Sequence, residues 1–128
     1  PKPSTLKHAG RLLERQRAVG IFGEGSRYED EERKLVRGEA IERLFESIGW
    51  LAVKFDAPMY AMGISKTIEV GSGDKKTRVK RIVLSQPVMR QTNLPKRVAE
   101  KAIMAEFHER LQESYDAASL AAEEAAYS

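Results

Sequence analysis

The feature that most constrains this chain is a pair of alternating runs on either side of a Gly-Ser-Gly-Asp turn at 71–74. Upstream, Tyr60, Met62, Ile64, Ile68 and Val70 share one parity, and Ala61, Gly63, Ser65, Thr67 and Glu69 share the other. Downstream, Thr77 to Leu84 is rich in β-branched residues. A side-chain period of two bounded by glycines predicts a β-hairpin with the larger residues turned inward. A two-residue loop at Gly73 and Asp74 would pair Ile68 with Val79 and Ile64 with Val83 on one face, and Glu69 with Arg78 on the other. Apolar would then meet apolar and opposite charges would face each other.

The flanking segments have a helical period. Ser4 or Thr5 can cap a first helix reaching about Ala18, with Leu6, Ala9, Leu12 and Leu13 on one narrow face. Glycines at 20, 23 and 25 interrupt the pattern, so residues 1–26 are expected to form an N-terminal helix or arm with a Gly-rich connector, and residues 27–128 an α/β domain. Tyr28 to Ile48 predicts a second helix, with Glu29 to Glu32 in its first turn, Gly38 weakening its middle, and Gly49 placed to end it. Beyond Gly49 the alternation of Leu51, Val53 and Phe55 predicts a short strand. After the connector Ser85 to Thr92, with Thr92 or Asn93 as cap and Pro95 at the first helical position, a long helix is expected from about Leu94 to Ala122 or beyond. The expected fold class is α+β: two N-terminal helices, a three-stranded antiparallel sheet with a basic hairpin, and a long C-terminal helix.

This order, α, α, β, β, β, α, resembles in succession alone two classes of nucleic-acid-binding domain, the histone-like bacterial DNA-bending proteins and the double-stranded RNA-binding domains. The resemblance does not reach residues. The hairpin tip lacks the proline of the first class, and Leu94 to Ala102 only loosely echoes the basic helix of the second.

Charge supplies the functional signal. The net +3 of the 128 residues conceals a centre, residues 55–103, with 10 Lys/Arg against 4 Asp/Glu, and a tail, residues 104–128, with 1 against 6. A cationic block beside an anionic tail points to a polyanionic partner, or to a tail that neutralises the block within the fold. Lys66, Lys75, Lys76, Arg78, Lys80 and Arg81 fall on the hairpin, and Arg90, Lys96, Arg97 and Lys101 on the connector and the start of the last helix. A cationic β-ribbon fits a nucleic-acid groove, and a helix N-terminus at Pro95 would add a phosphate-binding point. The same lysines and arginines would also protect an exposed hairpin edge from aggregation.

Other chemistries find little support. Without cysteine there is no thiolate nucleophile, disulfide or Cys-type zinc site. His8 and His108, the two histidines, are far apart and lack ligand partners at helical spacing. Consecutive Glu29 to Glu32 fan around a helix axis and do not converge. No Ser lies in a nucleophile elbow, the glycines at 20, 23 and 25 match neither a dinucleotide nor a phosphate loop, and Asp56, Glu69 and Lys80 have the wrong spacing for a metal-dependent nuclease. The expectation is therefore a non-enzymatic, cofactor-free and metal-free protein that contacts nucleic acid, duplex in preference to single strands because few aromatics are available to stack on bases. The alternative is a protein interaction module, an inhibitor or adaptor, whose amphipathic terminal helices meet a protein partner or form a homodimer. No apolar run approaches membrane-spanning length, and the first ten residues have no signal-like apolar stretch, so the cytoplasm is the expected compartment.

Overall fold

A computed structural model describes residues 3–21 and 47–128. The expected helix over 28–48, its acidic first turn and the glycine connector lie almost wholly outside the described residues. Within them the chain forms helix α1 (Pro3–Glu14), helix α2 (Ser47–Lys54), strands β1 (Met62–Ile64), β2 (Ile68–Val70), β3 (Thr77–Val79) and β4 (Ile82–Leu84), and a long helix α3 (Lys96–Tyr127). A 3-10 turn, Gly73–Lys75, joins β2 to β3. The class is α+β, with two two-stranded antiparallel sheets, β1 with β4 and β2 with β3.

The expected three-stranded sheet is corrected at its first strand. Leu51, Val53 and Phe55 belong to α2 and its C-terminal turn, and Gly49 sits inside that helix rather than ending it. The segment reads both ways, because Ile48, Leu51, Ala52 and Phe55 also follow the i, i+3, i+4, i+7 spacing of a helical face. Packing decides between the two. Ile48, Ala52 and Val53 enter a core with Met59, Val88, Ala99 and Ile103, against which Leu94, Met104 and Phe107 lean. Gly49 permits this approach, since a Cβ there would lie 2.9 Å from the Glu100 carbonyl oxygen of α3. The order of elements in the described part is therefore helix, helix, hairpin, helix, with a helix in place of the first of the three expected strands.

Both short helices end in the same way. The amide of Ala57 donates to the Ala52 carbonyl (3.0 Å) and that of Asp56 to the Val53 carbonyl (3.4 Å), with Asp56 at φ 49°. In α1, Arg17 donates to Leu12 (2.9 Å) and Gln16 to Leu13 (3.0 Å), with Gln16 at φ 58°. These are Schellman closures, which satisfy carbonyls that the helix leaves without partners. They stop α1 at Glu14, short of the expected Ala18. α1 packs on α2, and Ala9 is buried there. At the other end, α3 begins at Lys96 with Pro95 as its N-cap residue and no side-chain cap, so the expected capping by Thr92 or Asn93 is not formed.

The hairpin is one ribbon, residues 59–88, interrupted by two bulges. The pairs Ile68↔Val79 and Glu69↔Arg78 are those expected from the sequence. The two-residue loop is not formed: pairing ends at Val70↔Thr77, and residues 71–76 make the turn, with Gly71 and Gly73 at positive φ. Nearer its base the register slips by one, so that Ile64 faces Ile82 rather than Val83, and Gly63 takes Val83. Residues 65–67 oppose only 80–81 at one bulge, and 85–87 oppose only 60–61 at the other, between β1·β4 and the Met59↔Val88 bridge.

The bulges are built alike. Ser65 Oγ accepts the Arg81 amide (2.9 Å) and donates to the Lys66 carbonyl (3.0 Å). Ser85 Oγ accepts the Ala61 amide (2.9 Å) and donates to the Gln86 carbonyl (2.8 Å). Each hydroxyl takes the place of a missing ladder acceptor, which lets the strand carry an extra residue without leaving a main-chain donor unpaired.

An extra residue reverses the side on which the next residues point. In β1 the expected facing is inverted: Ala61, Gly63 and Ser65 are buried against α3, while Tyr60, Met62 and Ile64 point outward. Beyond the Ser65 bulge, Ile68 and Val70 are half-buried and Glu69 is exposed, as the sequence pattern predicts. The physical reason is closeness. A Cβ on Gly63 would collide with the Ser114 carbonyl group, so the ribbon rests on the α3 backbone along Ser114, Ala118 and Ala122, where larger side chains do not fit.

Candidate nucleic-acid interface

The ribbon runs along α3 toward its C-terminal end. β2 and the Ser65 bulge face the helix across an open groove of about 610 Å³ whose walls include Ser65, Ile68, Tyr115, Ser119, Ala122 and Tyr127. The end of the ribbon therefore lies beside the last turns of α3. Lys75 and Lys76 sit in the turn, Arg78 on β3, and Lys80 and Arg81 at the bulge opposite Lys66, and all six side chains are exposed. Six cations stand against Glu69 and Asp74 between residues 66 and 81, and Glu123 of the anionic tail lines the same groove as Lys66.

Glu69 meets two of them. Its carboxylate lies 3.5 Å from Arg78 Nε and 3.9 Å from Lys76 Nζ. These pairs are open to solvent and hold their partners weakly. Arg81 Nη1 donates to the Lys80 carbonyl (3.0 Å). Lys75 and Lys80 make no ion pair among the described residues. The arrangement is a cluster of exposed cations carried on a paired main-chain ladder.

The remaining basic residues lie elsewhere. Lys96, Arg97 and Lys101 stand at the start of α3, before Tyr115, where the groove beside β2 begins; at 1.5 Å per residue the gap is about 21 Å from Lys101 and about 27 Å from Arg97. The hairpin cations and those at the start of α3 are therefore two separate clusters.

Arg90 belongs to neither. Its Nη1 donates to the Val53 carbonyl (2.9 Å), and its Nε lies 3.5 Å from Asp56 Oδ1, so it clamps the closing turn of α2. A cation there also meets the negative end of the helix dipole. Nothing local in the sequence distinguishes a cation that clamps a distant helix end from one that faces solvent. Trp50, exposed on α2, is covered by the Lys54 ammonium at 4.8 Å from its ring centroid.

Among the described residues no group of three His, Asp or Glu side chains could hold a metal ion, and no helix is long and apolar enough to cross a membrane. No protein-family model matches the chain, and no curated protein and no solved structure matches it.

Proposed function

We propose that this protein is a non-enzymatic nucleic-acid-binding factor that contacts the phosphates of a duplex through the end of its β-ribbon. The observation that carries the reading is the gathering of Lys66, Lys75, Lys76, Arg78, Lys80 and Arg81 on one solvent-facing ribbon end, where no side chain among them enters the core. Lys75, Lys76, Arg78 and Lys80 supply the main contacts, and Lys66 and Arg81 extend them at the bulge. Lys96 and Arg97 form a second, separate phosphate contact at the uncapped N-terminus of α3. Arg90 takes no part.

Fluorescence anisotropy with a labelled DNA or RNA duplex tests this. Neutralising roughly four phosphates gives a salt slope near −3.6, so raising salt from about 50 mM to about 200 mM should weaken binding about 150-fold. The variant K75Q/K76Q/R78Q/K80Q should lose binding at the lower salt while its melting temperature falls by no more than a few degrees, because these side chains are exposed and only the weak pairs with Glu69 are lost. Absence of binding to either duplex at the lower salt overturns the reading.

A further inference from the structure

We propose that the outer face of the β1–β4 sheet is an interface between two copies of this chain, packed face to face with their ribbons antiparallel. Tyr60, Met62, Ile64, Ile82 and Leu84 all point away from α3, and Ile82 and Leu84 are 59% and 58% exposed. Ladder pairing places Met62 beside Leu84 and Ile64 beside Ile82, so the five side chains form one continuous patch.

Its chemistry selects a second copy. None of these five side chains is charged, and the one polar group among them is the Tyr60 hydroxyl; exposed Lys80 borders the patch beside Ile82. Interfaces between identical chains are the more apolar kind, whereas contacts between different proteins carry more polar groups. Full coverage of these five residues on both copies would bury up to about 1,100 Å², so with the residues around them the face reaches the roughly 1,000 Å² that marks a specific interface. A single patch that meets its own copy also closes the assembly at two chains.

Charge fixes the orientation. Parallel ribbons would bring two cationic ends together, at a like-charge cost. With the two-fold axis lying between the faces and across the strands, the ends carrying Lys75, Lys76 and Arg78 point in opposite directions. The dimer does not depend on the nucleic-acid reading; if both hold, one assembly presents two cationic ends.

Light scattering on the eluting full chain, at tens of micromolar, tests the proposal. The expected mass is twice 14.4 kDa, with I82K/L84K falling to one chain and V98K/L120K, which alters exposed apolar residues of α3, remaining double. Because the chain has no cysteine, a short bismaleimide gives a second readout that does not depend on those variants folding: Ile82→Cys should cross-link to its copy and Lys75→Cys should not. A single-chain mass at every concentration overturns the proposal and means that the face is met by another part of the chain or by a different protein. A double mass that survives I82K/L84K, or cross-linking through Lys75→Cys in place of Ile82→Cys, overturns it as well.

Discussion

The inner and outer halves of the ribbon share two strands and a helix beneath them, yet they bury opposite kinds of residue. In the inner half, β1 with β4, the residues turned to α3 include Ala61, Gly63 and Ser65, and the large apolar side chains face away. In the outer half, β2 with β3, Ile68, Val70 and Val79 turn toward the helix and Glu69 and Arg78 face solvent. One bulge at Ser65 separates them. The inner half is therefore held by backbone proximity to Ser114 and leaves a sticky outer surface, while the outer half is an ordinary amphipathic hairpin whose exposed face is charged. The difference shows that a single inserted residue can assign two surface chemistries to one ribbon.

Three substitutions would break or sharpen this contrast. The largest effect is expected from Gly63→Ala. A methyl group there collides with the main chain of Ser114 and Tyr115, so the loss should be about 3 kcal/mol, the upper end of overpacking costs. Urea denaturation monitored by far-UV circular dichroism measures it, and a neutral result would mean that the inner half does not rest on the α3 backbone. Ser65→Ala should cost about 2 kcal/mol, because it strips the Arg81 amide of its acceptor in a site where Ser65 itself is 4% exposed. Hydrogen exchange should then show faster exchange of the Arg81 amide while the Met59 and Val88 amides stay protected; uniform loosening of the whole ribbon would deny the bulge its local role. The smallest effect on stability is expected from Glu69→Ala, less than about 1 kcal/mol, since its pairs with Arg78 and Lys76 are exposed. The same change frees both cations and should tighten duplex binding about threefold at low salt, where screening is weak. Weaker binding would argue against the ribbon end as the phosphate contact.

The outer half was legible in the chain because its signals are local. The glycines at 71 and 73 mark the turn, the alternation around it is unbroken, and opposite charges at Glu69 and Arg78 agree with the register. The inner half was misread because alternation states only that two faces differ. It assigns the larger side chains to the core by default, and here the helix comes too close for them. Likewise the apolar run after Gly49 satisfies a strand pattern and a helix pattern at once, and contact with Ala99 and Ile103 selects the helix. Neither serine bulge has a sequence signature, since Ser65 and Ser85 act through main-chain groups across the ribbon.

For the basic residues the division is similar. Charge density along the chain marks the hairpin by itself, because neighbours on a ribbon remain neighbours in space. It does not say that Arg90 closes α2, nor that about 27 Å of helix separates Arg97 from the groove beside the ribbon. The sequence alone determined a basic hairpin, a long final helix and the pairing next to the turn, all set by interactions between residues near one another in the chain. Only the tertiary structure decided which face of the ribbon is buried, where the register slips, and which cations share a surface. Those depend on how closely two backbones separated by some fifty residues can approach, and that distance is set by the absence of a side chain at Gly63 and the small ones of Ser114, Ala118 and Ala122.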